Sequence, residues 1–116
     1  MKLAAKIFLD DHQKLVLGPG RMELLRATES LGSLHKAAQA IGMSYRWAWG
    51  RLKTAEKELG VQLLTQEGTP GRGKAKILSA EARELIRWYS DLEKQVEDLL
   101  LENSAKSPGF LKIEER

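Results

Sequence analysis

The stretch that most constrains this chain is Ser33 to Leu64, SLHKAAQAIGMSYRWAWGRLKTAEKELGVQLL. Ser33 has the chemistry of an N-cap, and the residues after it place Leu34, Ala37, Ala38 and Ile41 on one helical face. A Gly42-Met43 turn follows, and Ser44 caps a longer helix that runs to Leu59 and stops at Gly60. In that second helix Ala48, Leu52, Ala55 and Leu59 are spaced four, three and four apart, a single inward stripe. Arg46, Gly50, Lys53 and Lys57 fall on the opposite side, with Trp47 and Trp49 on the flanks. Two helices joined by a tight glycine-containing turn, the second one basic outward, form the helix-turn-helix arrangement that lays a helix in the major groove of DNA.

The flanking segments complete a small domain. Apolar runs at Leu3–Leu9 and Lys14–Gly18 surround Asp10-Asp11-His12-Gln13 and predict an N-terminal β-hairpin. Such a hairpin is barely stable alone and must pack on the helices. After Pro19-Gly20, a helix over Arg21–Leu31 places Leu24, Leu25, Thr28 and Leu31 on one face and ends at Gly32. Val61–Gln66 and Ala75–Leu78 read as strands joined by a Gly- and Pro-containing connection that carries Arg72 and Lys74. A hairpin with a basic tip behind a recognition helix is a wing, here residues 67–76, which lies on phosphates or enters the minor groove. An ordinary surface loop has a similar composition.

Ser79 caps a last helix expected over Ala80–Glu102, about 34 Å long at ~1.5 Å per residue. Its Leu85, Tyr89, Leu92, Val96 and Leu99 recur at steps of four and three, a heptad seam. One seam cannot be buried by itself, so it packs on its own domain or on a second copy, and dimerisation is the expected use. Residues 1–79 are thus read as the DNA-binding domain, 80–102 as the dimerisation helix and 103–116 as a flexible tail.

Charge distribution agrees with this division. The formal net charge is +3, made of +1 over residues 1–32, +5 over 33–79 and −3 over 80–116. The positive patch therefore sits on the helix-turn-helix and the loop behind it, as binding to a polyanion requires. The sequence has no cysteine and only two histidines, His12 and His35, so neither an enzyme, a metal site nor a cofactor is expected. No apolar run approaches the roughly 18 residues of a membrane span. Lys6 and Asp10 break any signal-peptide-like stretch, so a cytoplasmic location is expected.

The run GSLHKAAQAIGMS and the segment Glu56–Leu64 resemble the winged helix-turn-helix of LysR-type transcription regulators. The similarity is nearer to the N-terminal domain of the molybdate-responsive ModE-type regulators, where Ser-Tyr-Lys-x-Ala-Trp follows the turn. Here that run is Ser44-Tyr45-Arg46-Trp47-Ala48-Trp49, with the bulky Trp47 a departure. The family's Gly-rich wing looks like Gly68–Lys74 followed by Ala75-Lys76-Ile77-Leu78, and the likeness covers roughly residues 3–100. The resemblance implies a mostly α fold with a small β component. That fold is a winged helix-turn-helix with an N-terminal hairpin and a long C-terminal dimerisation helix, acting as a homodimer on double-stranded DNA. ModE-type regulators sense molybdate in a C-terminal domain. This chain stops about 14 residues after the dimer helix, so molybdate is not an expected ligand.

Within the recognition helix, residues 44–59, Arg46 is the leading base reader, because its planar fork can bond guanine O6 and N7 together. Tyr45 is a candidate phosphate or sugar contact, or else packs its ring on the core. Trp49 is a flank residue with an indole N–H available to the backbone. Gly50 costs about 1 kcal/mol relative to Ala in a helix, a cost consistent with close approach to DNA. Lys36, Arg51 and Lys53 are candidate phosphate contacts, Ser33 and Ser44 are caps, and Ser44 also offers a helix N-terminus to phosphate. Arg72 and Lys74 would hold the wing. The competing reading is a winged helix used for protein–protein contact, with the basic face incidental. RNA is disfavoured because an aromatic sheet platform is missing.

Overall fold

The computed structural model describes residues 1–67 and 75–114. The chain begins with a two-stranded antiparallel hairpin, β1 (Leu9–Asp11) and β2 (Lys14–Leu17), pairing Asp11 with Lys14 and Leu9 with Leu17. The expected hairpin is present but shifted. Asp10 and Asp11 belong to the strand, and the turn is His12-Gln13 alone, both residues at positive φ. A two-residue turn that matches the twist of its strands demands left-handed backbone at both positions. Residues 3–8, expected to start the first strand, lie outside it. They flank the last helix instead, where the Tyr89 hydroxyl donates to the Ile7 carbonyl.

Three helices follow: α1 (Pro19–Leu31), α2 (Leu34–Ile41) and α3 (Tyr45–Leu59). Helix α1 starts two residues before the expected Arg21 because Pro19 occupies its first turn, where a missing N–H costs nothing. Leu24, Leu25 and Thr28 are buried as expected, together with Met22, whereas Leu31 is exposed at the end of the helix. The caps act as the sequence suggests: the hydroxyls of Ser33 and Ser44 accept from the Lys36 and Trp47 amides, at 3.2 and 3.1 Å. Gly32, Gly42 and Gly60 end the three helices in left-handed conformation. Leu34, Ala37 and Ala38 of α2 pack with Ala48, Leu52 and Ala55 of α3 in one core, into which Leu17 of the hairpin inserts.

The second hairpin pairs β3 (Leu64–Glu67) with β4 (Ala75–Leu78). Its first strand begins later than the expected Val61, because Glu56 and Ser79, rather than the ladder, hold residues 62 and 63. One oxygen of the buried Glu56 carboxylate accepts from the Leu63 and Leu64 amides, at 2.8 and 3.2 Å, while Ser79 donates to the Gln62 and Leu63 carbonyls. The tip of the expected wing, with Arg72 and Lys74, lies outside the described residues.

Helix α4 (Ala80–Ala105) outruns its expected end at Glu102. Ala82, Ile86 and Tyr89 are buried against the rest of the same chain, and Leu85 packs on that core. Tyr89 is 1% exposed, so its place on the expected dimer seam is corrected: the ring is used within its own protomer. The segment expected to be a flexible tail continues α4 to Ala105. It forms a short 3₁₀ turn at Gly109–Leu111, after which the Met1 ammonium donates to the Lys112 carbonyl and the Glu114 amide donates to the Met1 carbonyl. Among the described residues, no helix is long and apolar enough to cross a membrane.

Candidate nucleic-acid interface

The exposed surface of α3 is built by its buried stripe. With Ala48, Leu52 and Ala55 held in the core, the helical repeat turns Tyr45, Arg46, Trp47 and Trp49 outward. Arg46 is exposed, and Trp47, 61% exposed, is a large aromatic on the first turn of the helix. The Tyr45 ring leans on His35 of α2 with centroids 5.9 Å apart. Ser44 is exposed at the same end; Ser33 is buried, its hydroxyl engaged by the Lys36 amide, so it serves α2 as a cap. Lys36 is exposed on α2.

One of the expected phosphate contacts has another engagement. The Lys53 ammonium lies 2.8 Å from the second oxygen of Glu56 and 5.5 Å from the centre of the Trp49 ring. Burial pushes the Glu56 carboxyl up, but the Lys53 hydrogen bond, the two amides and the Lys53 charge outweigh it and hold the group below the ordinary carboxylate value. Lys53 thus neutralises an internal acid. Arg51 is half-buried, and its carbonyl accepts from Arg21 of α1 at 3.2 Å. Gly50 faces open space: an added Cβ would meet nothing within 4 Å.

Arg21 was not singled out from the sequence. It also donates toward the Leu15 and Val16 carbonyls, at 3.3 and 3.4 Å, so one side chain joins β2, α1 and α3. A signal for it existed. Cations in the first turn of a helix oppose the macrodipole, and Arg21 sits there in α1 with no acidic neighbour. The same holds for α2 and α3, whose first turns carry Lys36 and Arg46 and no acid, whereas α4 opens with Glu81.

Residues 20–83 match the bacterial regulatory helix-turn-helix proteins of the lysR family. The chain belongs to that family. Among curated relatives, it is similar to the transcriptional regulator ModE of Haemophilus influenzae, 31% identical over 73% of this chain and 33% of that one. It is likewise similar to the DNA-binding transcriptional dual regulator ModE of Escherichia coli K12, 28% identical over 80% of this chain and 37% of that one. The chain therefore spans about a third of the length of the curated relatives it matches. Among solved structures, ArgP from Mycobacterium tuberculosis superposes with a TM-score of 0.50 at 25% identity, over 78% of this chain and 30% of that one. A CbnR domain solved in complex with DNA gives 0.54 at 20% identity, over 76% of this chain and 97% of that one, which establishes the shared fold.

Proposed function

We propose that this member of the lysR helix-turn-helix family binds duplex DNA sequence-specifically as a homodimer and thereby regulates transcription. The observation that carries the reading is the exposed start of α3, where Arg46 and Trp47 project from a helix whose opposite face is locked in the core. Helix α3 enters the major groove, with Arg46 reading base edges through its bidentate fork. Lys36 and the capped N-terminus of α3 meet phosphates, and the wing lies on the backbone or in the minor groove.

Dimerisation falls to the outer half of α4. Leu85 and Tyr89 serve the protomer's own core, which leaves Leu92, Val96 and the 55% exposed Leu99 for the partner. The test is fluorescence anisotropy with a labelled duplex at several salt concentrations, alongside the solution mass by light scattering. A steep fall of affinity with salt and a dimer mass are expected. A monomer with no duplex affinity near physiological salt would reject the proposal, and duplex-independent capture of one protein partner would favour the interaction-module reading.

A further inference from the structure

A notch of about 360 Å³ opens between the start of α1 and the outer face of α3, lined by Arg21, Arg46, Trp47, Gly50, Arg51 and Thr54. No acidic side chain lines it, and among the described residues its three arginines take part in no ion pair. Arg21 is fixed by three backbone carbonyls. Arg51 lies across Gly20, its Nη2 3.0 Å from where a Cβ would stand. The Arg51 Nε is buried and has no hydrogen-bond partner among the described residues. Burial first, and the Arg51 charge second, push the Arg21 guanidinium below its ordinary value.

Three unfavourable features therefore coincide. Like charges converge, an arginine sits at a helix N-terminus, and a buried donor lacks an acceptor. A single anion relieves all three. Guanidinium forks match the paired oxygens of a phosphate, and a small rotation of Arg51 gives its Nε the acceptor that the protein withholds. The bare Gly50 backbone leaves space for the rest of a backbone phosphate to pass over α3. We infer that this notch is the seat of one tetrahedral oxyanion, filled in the DNA complex by a backbone phosphate beside the groove that α3 reads. Only the source of that phosphate rests on the DNA reading above.

The test follows the arginine Nε–Hε signals of the ¹⁵N-labelled full chain during titration with inorganic phosphate at constant ionic strength, then with a mixed-sequence duplex. Arg51→Lys assigns the Arg51 signal. Saturable shifts of Arg51 and Arg21, with the exposed Arg83 and Arg87 of α4 unmoved by inorganic phosphate, are expected. Shifts with inorganic phosphate mean that the seat takes the free ion as well; shifts with duplex alone assign the seat to the phosphodiester. Arg51→Gln should lower the salt slope of duplex binding by about 0.9, the value of one phosphate contact, and Arg51→Lys should largely keep it. Gly50→Glu, which adds a carboxylate in open space and removes no arginine, should abolish the shifts while the chain still melts cooperatively. Unmoved signals in both titrations, with an unchanged slope for Arg51→Gln, overturn the seat even though wild-type duplex binding persists. If the wild type binds no duplex, the DNA reading fails and the phosphate titration alone decides the seat.

Discussion

Replacing Glu56 by alanine tests how the second hairpin is attached to α3. The carboxylate is buried and fully engaged: one oxygen takes the Leu63 and Leu64 amides, the other the Lys53 ammonium. Alanine leaves two buried amides without an acceptor, at about 1–3 kcal/mol each before any water enters. The Lys53 pair adds little, because its ammonium is about a third exposed and screened. A loss of about 2–4 kcal/mol is expected, which for a domain of this size lowers the melting midpoint by roughly 8–16 °C. Urea unfolding followed by circular dichroism measures it. Glu56→Gln keeps an acceptor for the amides and should cost about 1 kcal/mol at neutral pH. The pH dependence separates charge from geometry. The folded-state pKa of Glu56 is depressed, so its stabilising contribution is present above the unfolded value of ~4.3 and is lost as pH falls through the lower folded value. The gap between wild type and Glu56→Gln should therefore close on acidification. A loss below about 0.5 kcal/mol for Glu56→Ala, or a gap that widens in acid, would refute this account.

Gly50→Ala should raise stability by about 0.5–1 kcal/mol, since the added methyl meets nothing, yet weaken duplex binding; equal or tighter binding would show that the gap on α3 has no use. Arg46→Ala should abolish discrimination between specific and random duplexes, and an equal loss on both would remove it as a base reader. Leu99→Glu should shift the light-scattering mass toward the monomer, whereas Tyr89→Phe should leave the mass unchanged and cost about 1 kcal/mol by stripping the Ile7 carbonyl of its donor.

What could be read from the sequence was what local chemistry decides. The borders of α2 and α3 follow from Ser33, Ser44 and the glycines at 42 and 60, each acting within one helical turn of itself. The first hairpin was misplaced because its turn rests on His12 and Gln13 in left-handed conformation, a choice that neither residue type announces. The seam on α4 was legible as a stripe, but periodicity does not say what covers it; Tyr89 is claimed by the N-terminal segment, 82 residues earlier in the chain. The docked C-terminal segment depends on Met1 in the same non-local way. Of the candidate interface, the exposed face of α3 was visible in its spacing. The engagement of Lys53 by Glu56 and the approach of Arg21 to Arg51 were not, since both need the packed helices.

The charges at the helix starts tie stability to function. A cation in the first turn costs about 0.3–1 kcal/mol against the macrodipole. Arg21, Lys36 and Arg46 occupy three such turns with no acid beside them, while α4, whose outer half is assigned to the partner, opens conventionally on Glu81. Together the three cost about 1–3 kcal/mol, a sizeable part of the 5–15 kcal/mol that holds a domain together. An anionic ligand reverses the sign of each cost, because the same cation and the same unpaired amides then face a negative group. The free protein is on this argument held below its attainable stability at the turns that phosphates would contact, and binding restores what the sequence forgoes.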